Sequence, residues 1–189
     1  NYGWFLEKFP PKYQVDIKPQ SSWSCCHGVG RWAEDCGCST GAQPGWNQKW
    51  RKPLRDALDY VRDELIKVCS CEGSKYYKDF WDARNKYIDV ILDRSEESYE
   101  KFFKENAIKN LTQKEKTKAI KLMEMQRFCQ LMYTSCGWFF AEISGIETTQ
   151  IMKYALRAME IAQEFTNIDI EKKFLSILNK AKSNIEGFG

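Results

Sequence analysis

The chain has 189 residues, of which 29 are lysine or arginine and 26 are aspartate or glutamate, so its net charge is +3. Acidic and basic residues are interleaved and no basic cluster stands out, which argues against a nucleic-acid-binding protein. No segment approaches the roughly 20 apolar residues of a membrane-spanning helix, and no signal peptide is recognisable. We therefore expect a soluble domain that neither enters a membrane nor binds nucleic acid.

Residues 1–46 differ in composition from the rest of the chain. They hold four of the five prolines and more than half of the eleven glycines. The run from Tyr13 to Ile17 alternates well enough to predict one short strand, and the remainder is predicted to be loop. Because Asn1 opens a sequence of interior character, we expect a piece of a longer protein, in which this loop-rich segment packs on the helical body or on a preceding domain.

Residues 47–189 show the periodicity of amphipathic helices, with apolar residues at three- and four-residue steps. Two capping boxes, Thr112 to Glu115 and Ser144 to Glu147, mark helix starts. The pattern predicts an all-α bundle of about six helices behind the irregular N-terminal lead-in. The residues predicted to face the core include Trp50, Leu54, Ala57, Leu58, Val61, Leu65 and Val68 of the first helix, Ile88 of the second, and Phe174, Ile177, Leu178, Ala181 and Ile185 of the last.

The eight cysteines predict reduced thiols more than disulfides. A long helical body needs no covalent staples, and the absence of a recognisable secretion signal favours a cytoplasmic protein. Cys129 and Cys136 are seven residues apart in an apolar helical run, so both are predicted to be buried thiols.

Residues 21–41 are the densest in chemically active side chains, with four cysteines and the only histidine of the chain. One interpretation is a metal site, because three thiolates and one imidazole suit tetrahedral zinc. The spacing is Cys-x-His followed by Cys-x-Cys, which differs from the usual Cys-x₂-Cys pairs. The predicted ligands are Cys25, His27, Cys36 and Cys38.

Two other interpretations of the same segment stay open. In the first, Trp23 and Trp32 stack on sugar rings, while His27, Arg31 and Asp35 bond hydroxyl groups and the glycines let the backbone approach a ligand. In the second, the cysteines are buried thiols or form one disulfide, and the tryptophans seal the loop onto the bundle. The first of these is compatible with a metal.

Residues 134–150 form a second notable segment, with Gly137, Trp138 and Gly145 where two helices meet. A tightly packed helical corner explains most of it. The capping box accounts for Glu147, which leaves Glu142 unexplained. No nucleophile elbow, deaminase motif, phosphate loop or dinucleotide fingerprint occurs, so an autonomous enzyme is not predicted.

Six ordered blocks cover nearly the whole chain and resemble the uncharacterised domain that follows the catalytic barrel in a subset of glycoside hydrolase family 57 proteins. Cys26 departs from that resemblance, since a small residue such as alanine is expected there. The blocks are GWFLEKFPP (3–11), SWSCCHGVGRWAEDCGC (22–38), GWNQKWRKPLRDAL (45–58), VILDRS (90–95), EMQR (124–127) and TSCGWFFAEISGIETTQI (134–151).

The resemblance implies a parent enzyme that acts on α-glucans or related polysaccharides with retention, and whose two catalytic carboxylates lie in an N-terminal barrel. The present chain would then be a non-catalytic accessory domain that packs on that barrel and walls a cleft for a polysaccharide or oligosaccharide. By the same analogy Trp138 would face the substrate. The alternative is a structural or protein-interaction module stabilised by zinc.

Overall fold

The computed structural model of the protein describes residues 1–188, and the regular secondary structure within them is entirely helical. The predicted all-α bundle is thereby confirmed. The elements are α1 (Tyr2–Lys8), a 3₁₀ helix (Gly30–Trp32), α2 (Arg51–Gly73), α3 (Phe80–Leu92), α4 (Glu96–Asn106), α5 (Gln113–Leu131), α6 (Cys136–Phe139), α7 (Ile146–Ala162) and α8 (Ile170–Leu178).

Helix α2 is the central element of the bundle. It packs against α3, α5, α7 and α8, and its first turns also contact the 3₁₀ helix. The inward face predicted for it, from Trp50 to Val68, is buried along its whole length. Burial of such a face removes apolar surface from water and contributes about 25 cal/mol per Å². The central position of α2 in the bundle therefore follows from the spacing of its apolar residues.

Side-chain caps define the starts of several helices. The hydroxyl of Thr112 accepts from the backbone N–H of Glu115, whose carboxylate accepts from the N–H of Thr112, so the predicted capping box of α5 is confirmed. The second predicted box is wrong, because Gly145 is the N-cap of α7 and has no capping side chain. Ser144 lies one residue too early, where its N–H donates to the carboxylate of Glu142.

Other details differ from the sequence prediction. Residues 13–17 form no strand and are exposed, and none of them makes a backbone–backbone hydrogen bond within the described part of the chain. Ile88 is 50% exposed, because Tyr87 and Val90 face the core in its place. Cys129 is buried as predicted, but Cys136 is exposed, because α5 ends at Leu131 and the helical spacing is broken before residue 136.

The last helix is also shorter than predicted. It ends at Leu178, so Ala181 is buried outside regular structure and Ile185 stays partly exposed. All helices of the bundle follow residue 50, and residues 9–50 contain only the 3₁₀ helix. The division into a loop-rich segment 1–46 and a bundle 47–189 stays a prediction. None of the helices within residues 1–188 combines the length and apolar composition of a membrane span.

Close packing of α6 on α7 gives a test of the core. A β-carbon on Gly137 would lie 2.5 Å from Cδ1 of Ile151 and 2.8 Å from both its Cγ1 and Cγ2, so no rotation of that buried side chain relieves the clash. We expect Gly137→Ala to lower the free energy of unfolding by about 1–3 kcal/mol. The measurement is thermal or urea unfolding followed by circular dichroism.

Gly3→Ala is the matched control, since Gly3 lies in the exposed helix α1 and its added β-carbon would come no closer than 3.4 Å to another residue. It is expected to leave the stability of the bundle unchanged. Wild-type stability of Gly137→Ala would show that this corner is looser than described.

Candidate metal centre

The loop of residues 24–38 is reversed on itself by glycines. Gly28 has a φ of +68°, and a β-carbon there would lie 2.8 Å from the carbonyl oxygen of Gln20. Gly37 has a φ of +78°, the left-handed conformation that glycine adopts without strain, and it separates Cys36 from Cys38. This turn lets both sulfurs of a Cys-x-Cys pair point toward the same place.

The four predicted ligands come together at one point. The sulfur of Cys25 lies 3.7 Å from that of Cys36 and 3.8 Å from Nδ1 of His27, while the sulfur of Cys38 lies 3.6 Å from the same nitrogen. All four ligand atoms are within 4.8 Å of one another. Nδ1 is therefore the histidine nitrogen that faces the thiols of Cys25 and Cys38.

The three distances given are close to those of a tetrahedral zinc site. Zn–S bonds of about 2.3 Å and Zn–N bonds of about 2.0–2.1 Å place two sulfurs about 3.8 Å apart, and a sulfur about 3.6 Å from a nitrogen. A disulfide would need about 2.05 Å between sulfurs, and the cysteines here are free thiols. The cluster could thus hold a metal ion of the zinc type.

The loop geometry also affects the acidity of the thiols. Burial alone would raise the pKa of Cys25, but the backbone N–H groups of Arg31 and His27 donate to its sulfur and bring the pKa down to about 6. The pKa of Cys36 is raised by burial and by the neighbouring Cys25. The lowered pKa of Cys25 favours its thiolate, which is the form of cysteine that binds metals.

A fifth thiol lies outside the cluster. Cys26 is exposed, and although its sulfur is 3.5 Å from Nδ1 of His27, it does not share the common point of the other four. It is the position at which the resemblance to the family 57 domain predicts a small residue. Cys26 therefore offers a control for experiments on the four ligands.

Hydrogen bonds to backbone carbonyls fix the loop on the bundle. Arg31 donates from Nη1 to Phe139 and from Nη2 to Ser24, both at 3.1 Å, and its guanidinium lies 4.8 Å from the centre of the Phe139 ring. The indole nitrogen of Trp32 donates to the carbonyl of Ser135 at 3.0 Å. Arg55 of α2 donates at 3.0 Å to the carbonyl of Trp32.

Arg51 is a site residue that sequence reasoning missed. It is the first residue of α2, is fully buried, and donates from Nη1 to the carbonyl oxygen of Cys38 at 2.8 Å. Burial and then the charge of Arg31 lower the pKa of Arg51, whereas negative charge on Cys36, Asp35 and Cys38 acts in the opposite direction. No sequence signal distinguished it, because a basic residue in a first helical turn usually lies in water.

The predicted substrate-facing residues differ in how far the structure exposes them. Trp23 is 92% exposed, and its ring centre lies 6.2 Å from that of Phe139. His27 and Asp35 are exposed, and Trp32 is half-buried. These side chains are accessible to a ligand, apart from the imidazole nitrogen that faces the thiols.

Two members of that set are corrected. Trp138 is 0% exposed and stacks on Tyr133 with ring centres 6.1 Å apart, so it packs in the core and presents no face to a substrate. Arg31 is buried, and its terminal nitrogens already donate to backbone carbonyls. A tryptophan beside glycines has the same sequence appearance in a core corner as in a cleft.

Glu142 has a structural explanation. Its carboxylate accepts hydrogen bonds from the hydroxyl of Ser183 and from the backbone N–H groups of Ser144 and Asn184. Burial would raise its pKa, but these bonds outweigh burial and lower it. Glu142 is thus held as a carboxylate that joins the C-terminal segment to the corner before α7.

Comparison with known proteins finds one family. Residues 46–189 match the model of a family described as a domain of unknown function (DUF3536). The match covers the bundle and Arg51 but ends short of the four metal-ligand residues. No curated protein and no solved structure matches the chain. The family description carries no activity, so the resemblance to glycoside hydrolase family 57 stays a prediction.

Zinc content tests the cluster directly. We expect about one zinc ion per chain in the purified protein, and we expect Cys36→Ser to lose most of it because a serine hydroxyl is a poor zinc ligand. Cys26→Ser is the matched control and should retain the metal. Elemental analysis and competition with a chromophoric chelator measure both. Equal metal content in the two variants would remove Cys36 from the site.

Proposed function

Because the chain belongs to the DUF3536 family, whose function is undefined, we propose from its geometry that it is a non-catalytic accessory domain with a structural zinc ion that folds its N-terminal loop. The observation that carries the proposal is the convergence of one nitrogen and three sulfur atoms within 4.8 Å. Cys25, His27, Cys36 and Cys38 supply these atoms. Four protein ligands close a tetrahedral site, whereas a catalytic zinc keeps one position for water or substrate.

The loop needs such a cross-link because it has little core of its own. Helix α1 has no buried residue, and residues 9–29 contain no helix or strand. Binding of structural zinc contributes roughly 10–16 kcal/mol in zinc-finger peptides, against about 1 kcal/mol for a typical hydrogen bond. The few bonds from Arg31, Trp32 and Arg55 orient the loop, and the metal supplies most of its stability.

The finer proposal concerns the parent protein. We propose an enzyme of the family 57 type, whose catalytic barrel lies before this domain and whose substrate is a polysaccharide or oligosaccharide of the α-glucan class. Six blocks of sequence resemblance support it, together with the exposed aromatic surface beside the metal loop. Trp23 and Phe140 are the exposed rings of that surface, and Phe139 links them.

In this proposal the zinc ion does not touch the substrate. It fixes the loop so that Trp23, two residues from the ligand Cys25, presents an apolar ring face at the edge of the cleft. The carboxylates that break the glycosidic bond belong to the barrel. The exposed apolar residues of α1, among them Trp4 and Phe5, would pack against that barrel.

Metal removal tests the structural role. We expect chelation to accelerate amide hydrogen exchange in residues 25–38, while amides of α5 and α7 keep their protection because those helices have their own core. Adding back zinc should restore protection, and magnesium, which prefers oxygen ligands, should not. Unchanged exchange in the loop after complete metal removal would contradict the proposed role of the ion.

Glycan recognition is tested separately. We expect maltoheptaose to quench tryptophan fluorescence of the zinc-loaded protein, and we expect Trp23→Ala to weaken that binding by about tenfold, equivalent to about 1.4 kcal/mol. Trp4→Ala is the control, since Trp4 is also exposed but lies on α1. Equal binding by both variants would exclude Trp23 from a glycan surface and leave the zinc proposal intact.

A further inference from the structure

Arg51 is a buried cation without a carboxylate partner. Its side chain is 0% exposed, Nη1 has one acceptor, the carbonyl oxygen of Cys38, and neither Nε nor Nη2 has a partner among the described residues. Other arginines of the same helix are different, since Arg55 and Arg62 both pair with Asp59. Within the bundle the guanidinium carbon lies 5.6 Å from the centre of the Trp50 ring, which offers a cation–π contact but no negative charge.

A buried guanidinium must be compensated. It stays protonated in proteins, so it cannot avoid the cost of burial by losing its proton as a lysine can. An isolated buried charge is strongly unfavourable unless an opposite charge lies nearby. The carbonyl of Cys38 supplies a dipole but no net charge. The charge that balances Arg51 must therefore come from the side of the loop that faces it.

The proposed metal centre has the required charge. Three thiolates contribute −3, a neutral imidazole contributes nothing, and a divalent ion contributes +2, which leaves a net charge of −1. Resting on the proposed zinc site, we infer that Arg51 is the counter-charge of this centre and a positioning residue for it. The guanidinium also holds the backbone of Cys38 through its bond to the carbonyl oxygen.

Two consequences follow from this charge balance. The centre is matched to a divalent ion, because a trivalent ion with the same ligands would be neutral and would leave Arg51 without compensation. The attraction between Arg51 and the metal centre would also connect the loop to the bundle, since Arg51 is the first residue of the central helix α2. Arg31 is a second buried guanidinium whose Nε also lacks a partner among the described residues, and its charge disfavours that of Arg51. It differs from Arg51 in that both of its terminal nitrogens donate to carbonyls, so we assign it to orienting the loop.

Zinc affinity of three variants tests the inference. We expect Arg51→Gln to bind zinc roughly 10–100-fold more weakly than the wild type, the usual range for partners of metal ligands. Arg51→Lys should recover much of that loss, because it keeps the charge. Arg62→Gln, on the same helix but paired with Asp59 and Asp63, should bind like the wild type. Competition with a chromophoric chelator gives each affinity.

The reduction potential of the iron-substituted protein separates charge from packing. Ferric iron gives a neutral centre and ferrous iron gives −1, so a positive neighbour favours the ferrous form. We expect the midpoint potential to become more negative in Arg51→Gln and to stay near the wild-type value in Arg51→Lys. A residue that only packs or only bonds the Cys38 carbonyl would not produce this order.

Asp35 supplies the competing explanation, because its exposed carboxylate also raises the pKa of Arg51 and directly precedes the ligand Cys36. We expect Asp35→Asn to leave the zinc affinity and the potential unchanged. If Asp35→Asn matches Arg51→Gln, or if the Gln and Lys variants behave alike, the inference is wrong although zinc still binds. If the wild-type protein binds no zinc, the proposed function itself has failed.

Discussion

In the proposed function, the N-terminal loop is held in one conformation by a metal ion bound to four converging ligand atoms. Residues 9–50 contain one turn of 3₁₀ helix, and most of their apolar side chains are exposed, so packing cannot hold them in one conformation. One nitrogen and three sulfur atoms lie within 4.8 Å of one another, and a metal ion bound to them would cross-link the loop. The left-handed conformation of Gly37 allows this arrangement, because it lets the sulfurs of Cys36 and Cys38 face the same centre.

Three arginines connect the N-terminal loop to the bundle through hydrogen bonds to backbone carbonyls. Arg31, Arg51 and Arg55 donate to the carbonyl oxygens of Phe139, Cys38 and Trp32 respectively. Such bonds fix the path of the main chain and do not depend on the side chain at the accepting position. Charge is balanced separately: Arg55 pairs with Asp59, whereas Arg51 has no carboxylate partner among the described residues and is proposed to balance the charge of the metal centre.

The sequence predicted what is local and missed what is distant. The buried face of α2 and the capping box at Thr112 follow from neighbours within one or two turns, and both are confirmed. The box at Ser144 failed because Glu142, with Ser183 and Asn184 about 40 residues away, fixes that corner. The prediction that Trp138 faces a substrate was wrong for a similar reason, because the position of α6 places its ring against Tyr133 in the core.

The metal and glycan interpretations of residues 21–41 are complementary and not competing. Trp23 is two residues from Cys25 and approaches Phe139, whose carbonyl oxygen accepts from Arg31. The orientation of the exposed ring is thus set by the same contacts that hold the metal ligands. In the proposed function, loss of zinc would disorder the aromatic surface, and glycan binding would depend on an ion that never contacts a sugar. That dependence distinguishes a structural zinc beneath a binding surface from a zinc that takes part in chemistry.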